Sequence, residues 1–322
     1  MGEQNTQTSE KQSLKAFSYE SAKAASALSA LPHIYEKEKF KGDLNGFKDT
    51  VNAEYNDIER EYLHVIVAGD VTAVMTLNTN NHNATVAFDP THTLGDKLDN
   101  FFRKEKDHSL GGKVHGGIYS DIVKDRTISE KFPGSSLTDV IGAILHSYAN
   151  QNPEKSLNVD FTGFSSGGAK AAMTAGEMIA EGFFKDYPNI QLQNVYTFSP
   201  PGYANNEFIE KFEQATEQLG ANSYMVQIHG DTTPSILTSD ASGLFTKYHY
   251  GQAGDHIYII PSETGEPQML INPSQETLDA LPEPEHDKKE VHTLKAYQYV
   301  LTTDNSTEIT PQPLTNTPSL EP

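Results

Sequence analysis

The chain has 322 residues, a formal net charge of −20 at neutral pH, and neither cysteine nor tryptophan. The lack of cysteine excludes disulfides, zinc–thiolate sites and thiol nucleophiles. So acidic a chain offers no phosphate-binding surface for nucleic acid and is only weakly drawn to anionic membranes.

No apolar run approaches the roughly eighteen residues of a membrane-spanning helix. The opening "MGEQNTQTSEKQ" lacks a charged-then-apolar leader, so the expectation is a cytoplasmic protein, or one exported without a cleaved signal peptide. Leu14, Phe17, Ala22, Ala25 and Leu28 fall near helical spacing and predict an amphipathic helix over 13–31, ended by Pro32. From Tyr62 the pattern changes. "YLHVIVAG", "TAVMTLNT" and "ATVAFD" are short β-branched or alternating runs broken by Gly, Asp and Asn, and read as successive strands.

"SSLTDVIGAILHSYANQ" has a serine entry and apolar residues at helical intervals, which predicts a helix. Then "LNVDFTG" reads as a strand, "GGAKAAMTAGEMIAEGFF" as a helix, "NVYTFSP" as a strand and "NNEFIEKFEQATEQLG" as a helix. "SYMVQIHG" and "HIYIIP" are strands, and "VHTLKAYQYVL" is a last helix. Strands alternating with helices imply right-handed crossovers and a mostly parallel α/β sheet, mixed at its leading edge where strands follow one another directly. Residues 1–302 thus read as a single α/β domain with an added N-terminal helix. The proline-rich, polar 303–322 reads as a disordered tail.

Within "VDFTGFSSGGAK" a strand runs into a helix through Gly163-Phe164-Ser165-Ser166-Gly167. The bland reading is a glycine-rich connection. The chemical one is a nucleophile on an exposed, strained turn, since Gly-x-Ser-x-Gly lets the chain fold sharply and lift the serine off the sheet edge. Ser165 has glycine two residues before and after it, whereas Ser166 has Phe164 and Gly168, so Ser165 is the nucleophile candidate. The amide of Ser166, at a helix start, is an oxyanion donor. A serine needs a base, and the base an orienting acid, expected later in the chain on loops after strands. Asp231 closes the strand "MVQIHGD", with Asp240 as its rival and a turn aspartate as the bland alternative. For the base, His292 stands between the last strand and the last helix, and His286 in "EPEHDKKE" is next. His249 is also downstream, His256 begins a strand and faces solvent or packs, and His115 precedes the elbow as a structural histidine.

Phe88-Asp89-Pro90-Thr91, Val114-His115-Gly116-Gly117-Ile118, the elbow, Thr197-Phe198-Ser199-Pro200-Pro201, Asp231-Thr232-Thr233-Pro234 and His292 follow in an order that resembles the class 3 lipases of the α/β-hydrolase superfamily. That family shows Phe-Arg-Gly-Thr/Ser, Val-His-x-Gly-Phe, Gly-His-Ser-Leu-Gly, Thr-Phe-Gly-x-Pro and Asp-x-Val-Pro in the corresponding places. The resemblance spans about Tyr62 to Leu301. It implies a lipid or phospholipid acyl ester as substrate, an acyl-enzyme on Ser165, Thr91 as the second oxyanion donor, transient contact with a membrane or micelle surface, and no cofactor or metal. It also implies a lid between Thr91 and Val114, where Leu98, Phe101 and Phe102 make an apolar face hinged by Gly95 and Gly111-Gly112. An ordinary surface helix is the alternative there. Asp89-Pro90 replaces Arg-Gly, and Phe164 and Ser166 replace His and Leu. A non-catalytic binding protein of this fold, and a thioesterase or peptidase using the same triad, stay open.

Overall fold

The computed structural model describes residues 18–32, 35, 43, 46–47, 49, 62–68, 71–90, 105–123, 135–236, 238, 250–262, 267–284 and 291–302. The expected tail, the rivals Asp240, His249 and His286, the oxyanion candidate Thr91 and the lid residues Leu98, Phe101 and Phe102 lie outside them.

Eight strands form one sheet: β1 (Tyr62–Ala68), β2 (Val71–Asn78), β3 (Asn83–Phe88), β6 (Leu157–Phe164), β7 (Ile190–Phe198), β8 (Asn222–Ile228), β9 (Asp255–Ile260) and β10 (Gln268–Ile271), hydrogen-bonded in that order. Two further short strands, β4 (Lys106–Asp107) and β5 (Lys113–Val114), pair as a separate hairpin. The three leading strands run antiparallel, as short connections require. From β3 to β9 each neighbouring pair is parallel. The sheet is therefore mostly parallel, as the alternation of strands and helices predicts. β10 was not legible as a strand: it is four residues of half-buried edge, paired antiparallel with β9.

Parallel central strands are buried on both faces and read as apolar runs. β7, for instance, is buried from Asn194 through Phe198. One face is covered by α2 (Gly116–Val123), α3 (Leu137–Gln151) and α4 (Ser166–Ala180), whose Ile118, Ile122, Leu137, Ile141, Ala172 and Met173 share a core with Val86, Phe161 and Val195. Ser136 begins α3 with a capping box closed by Asp139. Three further helices are α5 (Phe183–Asp186), α6 (Asn206–Gln218, capped by Asn205) and α7 (Gln275–Asp279).

The other face is covered by α1 (Tyr19–Ser29), the predicted N-terminal helix, and by α8 (Leu294–Thr302), the last one. Ala22 and Ala25 of α1 and Tyr297, Val300 and Leu301 of α8 share a core with Tyr196, Phe198 and Val226 of the sheet. The alanines let α1 lie close enough for the buried Thr162 hydroxyl to donate to the Ala25 carbonyl at 3.3 Å. No described helix is long and apolar enough to cross a membrane.

Gly111 and Gly112, expected as a hinge, form instead the turn of the β4–β5 hairpin, with φ of 108° and 72°. The hairpin is pinned at both ends. Asn205, at the start of α6, exchanges backbone and side-chain hydrogen bonds with Lys113 at 2.9 Å. On the other side Glu177 of α4 accepts from Ser109 and, at 2.8 Å, from Tyr119, while His108 Nε2 donates to the Met173 carbonyl.

Candidate active site

β6 ends in Phe164, and α4 begins at Ser166, so a single residue, Ser165, makes the turn. Its φ of 55° and ψ of −128° are strained for a side-chain-bearing residue. The flanking glycines are required by contact. A Cβ on Gly163 would run into the backbone of Gly167, and one on Gly167 into the Phe88 carbonyl oxygen. Small residues two places either side of the serine are thus what allow this crossing of strand and helix.

Ser165 occupies the N-cap position of α4, yet its hydroxyl does not cap the helix as a serine there ordinarily would. It lies instead 3.3 Å from His292 Nε2. Where an exposed turn was expected, Ser165 is only 4% accessible. The hydroxyl is therefore buried beside an imidazole nitrogen. The amide of Ser166 lies in the first turn of α4, at the positive end of its dipole.

His292 precedes α8 and reaches back over the carboxyl ends of the strands. Its Nδ1 lies 2.9 Å and 3.1 Å from the two carboxylate oxygens of Asp231. Donation from Nδ1 to the carboxylate leaves Nε2 as the acceptor facing Ser165, which is the tautomer a general base needs. The ring of Phe164 stacks on the imidazole, centroids 4.7 Å apart. Phenylalanine thus stands where the family's elbow has histidine, and its ring packs against that of His292.

Asp231 follows β8 through Gly230, whose φ is 89°. It is 2% exposed and accepts from the Thr233 amide at 2.9 Å, the Ser199 hydroxyl at 2.6 Å and the Tyr297 hydroxyl at 2.9 Å. Burial pushes its carboxyl up, but the hydrogen bond and charge of His292, with the bonds from Ser199 and Thr233, outweigh burial and hold it below the ordinary aspartate range. Thus Ser165, His292 and Asp231 come together from three separate loops. His115 is buried and accepts from the Ile118 amide at the start of α2, a structural position. His256 packs in β9 against Gln227, and burial lowers it to about 4.

Asp89 replaces the arginine of the family pattern, and the structure supplies a reason. Lys170 of α4, 2% exposed, donates to Asp89 Oδ1 at 2.7 Å and to the Asp89 carbonyl at 3.0 Å. The same carboxylate accepts from the Thr72 amide, and the Asp89 amide donates to the Thr72 carbonyl, so β3 is extended by one residue. This buried ion pair ties the helix behind the elbow to the strand end leading into Pro90 and Thr91. Breaking a buried pair leaves one charge uncompensated. Lys170→Met is accordingly expected to lower unfolding stability by about 3–5 kcal/mol, and Lys170→Met with Asp89→Asn to recover part of that loss, both read by urea denaturation.

A family model described as Lipase (class 3) matches residues 74–240, more than half of the chain. The chain belongs to the class 3 lipase family. The match takes in the elbow, the β7 end and Asp231, and stops short of His292. Solved lipases share the fold of this class 3 lipase-family chain. A triacylglycerol lipase whose catalytic centre is described as a serine protease triad aligns with a TM-score of 0.57 at 15% identity, covering 84% of this chain and 92% of that one. Lipase from Rhizopus microsporus var. chinensis gives 0.55 at 16% identity, with 84% of each chain covered. Lipase II from Rhizopus niveus gives 0.55 at 15%, covering 88% and 93%. These are α/β-hydrolase lipases, and at such identities the likeness is one of fold. A comparison with curated proteins gives no match.

The sequence pattern did not reveal Ser199, Tyr297 and Lys170 as contributors. A serine where the family has glycine, and a lysine inside an alanine-rich helix, were the available signals.

Proposed function

We propose that this protein is a serine hydrolase of carboxylic esters, with a lipid or phospholipid acyl ester as substrate. The observation that carries the reading is the unbroken line Ser165 Oγ, His292 Nε2, His292 Nδ1, Asp231, on a strained elbow at the start of a helix. Ser165 Oγ adds to the ester carbonyl carbon as its proton passes to His292 Nε2. The Ser166 amide, with Thr91 as the second donor, stabilises the oxyanion. Collapse breaks the bond to the alcohol oxygen, which takes the proton from His292. A water then gives a proton to His292, attacks the acyl carbon, and releases the acid and free Ser165. Asp231 stays ionised throughout and balances the imidazolium. The lipid part of the reading rests on family membership, and the triad geometry alone serves equally for other acyl compounds.

The test is turnover on a panel of short esters, triacylglycerols, phospholipids and acyl-thioesters, beside fluorophosphonate labelling read by mass spectrometry. Ester turnover with the label on Ser165 is expected. An unlabelled protein without turnover would make this a non-catalytic relative, and preference for thioesters would reassign the substrate.

The charge of −20 bears on the surface this protein meets. Hydrolysis of an ester dispersed in zwitterionic vesicles is expected to exceed that in vesicles rich in anionic lipid. The gap should narrow as salt rises, since about 1 M salt shortens the Debye length to ~3 Å. Equal rates at low salt would dismiss electrostatic exclusion.

A further inference from the structure

The end of β7 departs from the family at one backbone position. Where Thr-Phe-Gly-x-Pro has glycine, this chain has Ser199, and the residue keeps a φ of 47° that glycine adopts more readily. Its amide donates to the Val226 carbonyl at 2.9 Å, so β8 holds the backbone there. The side chain is completely buried. Its hydroxyl lies 2.6 Å from Asp231 Oδ2 and 3.4 Å from His292 Nδ1, against the joint of the His–Asp pair.

The donors on Asp231 are divided between its oxygens. Thr233 N–H occupies Oδ1, while Ser199 and Tyr297 hydroxyls occupy Oδ2. Tyr297 also accepts from the Ile228 amide at 3.1 Å, which leaves its proton directed at Asp231. We propose that Ser199 is a positioning residue for the triad: its hydroxyl fixes the rotation of the Asp231 carboxylate and draws off part of its negative charge, tempering the hold of Asp231 on the His292 ring. The proposal rests on the reading of Ser165, His292 and Asp231 as a triad.

The chemistry runs in one direction. A carboxylate that accepts more donors is a weaker base and stabilises a neighbouring imidazolium less. Removing the Ser199 donor concentrates charge on Asp231, favours the protonated ring, and moves the acid limb of the pH–rate profile upward. Among the described residues, the phenols of Tyr297 and Tyr258 sense the charge of Asp231, and neither ionises over that limb. Burial pushes the phenols of Tyr297, from α8, and Tyr258, from β9, upward. His256, also from β9, reaches Asp231 only through Gln227, which donates to the Asp231 carbonyl at 2.8 Å, and burial holds His256 near 4.

Two variants separate the hydroxyl from the backbone. Ser199→Gly removes the hydroxyl and suits the positive φ, whereas Ser199→Ala removes the hydroxyl and keeps the strain. In both, the acid limb of kcat/KM is expected to rise by about half a pH unit, with kcat down about three- to tenfold and KM little changed. The same shift is expected in the NMR titration of the His292 ring protons, assigned by their loss in His292→Gln. That second readout needs no turnover, so it decides the Ser199 proposal even if the wild-type protein hydrolyses nothing and the proposed function fails. Superimposable titrations of wild type and Ser199→Gly would overturn the proposal. A shift in Ser199→Ala alone would overturn it as well, because it would trace the effect to backbone strain.

Discussion

Ser165→Ala is expected to lower kcat by about four to six orders of magnitude and to abolish fluorophosphonate labelling, with the fold intact. The serine contributes a hydroxyl aimed at His292 and no helix cap, so its removal leaves no helix amide unpaired. Ser166→Ala is expected to lose at most about tenfold, the scale of one ordinary hydrogen bond, because the role assigned to Ser166 belongs to its backbone. Ser165→Gly gives an independent reading of the same turn. A non-glycine residue at φ 55° stores about 1–3 kcal/mol, which glycine releases. The glycine protein should therefore be inactive and more resistant to urea than the wild type, a trade expected where function requires strain. Activity that survives Ser165→Ala and dies with Ser166→Ala would shift the register by one residue.

What the sequence made legible follows from the range over which its signals act. The elbow was readable because its requirement is largely local: Gly163 and Gly167 lie two residues from Ser165, and a Cβ on Gly163 would meet the Gly167 backbone, although the limit on Gly167 itself is set by the Phe88 carbonyl of a distant strand. Asp231 was readable because an apolar parallel strand ending in Gly-Asp places a carboxylate at the sheet edge whatever the rest of the chain does. The choice between His292 and His286 was not local. It depends on how far the chain before α8 reaches back over the sheet, and the Asp231 and Phe164 contacts show that His292 makes that reach. Ser199, Tyr297 and Lys170 were harder still. Each lies more than thirty residues from its partner (32, 66 and 81 positions), and its role exists only once the strands are side by side. A buried lysine in an alanine-rich helix looks like a solvated one until Asp89 is beside it. β10 was missed for a different reason, since four half-buried residues at an edge carry too short a pattern to distinguish strand from loop.

Asp231→Asn should be the most informative change in the base system, with an expected fall in kcat of about four orders of magnitude. Asparagine is nearly isosteric, so packing survives, but its amide cannot accept at both ends. The wild-type carboxylate receives donors on both oxygens, from Thr233 on one and from Ser199 and Tyr297 on the other, besides the His292 ring. Whichever way the asparagine turns, an NH2 group faces a donor. The His292 ring then has reason to flip or to place its proton on Nε2, where it can no longer accept from Ser165. Stability should change with pH in a definite sense. The folded-state carboxyl of Asp231 is held below the ordinary value, so the stability it contributes is fully present above about pH 4 and is lost as pH falls through the lower, folded value. The gap in urea midpoint between wild type and Asp231→Asn should hence be widest near neutrality and shrink below about pH 4. If the gap is constant down to the acid unfolding of both proteins, the ionised carboxylate is not what these donors hold. If the midpoint gap behaves as expected but kcat barely moves, Asp231 stabilises the fold without orienting the base, and the triad reduces to Ser165 and His292.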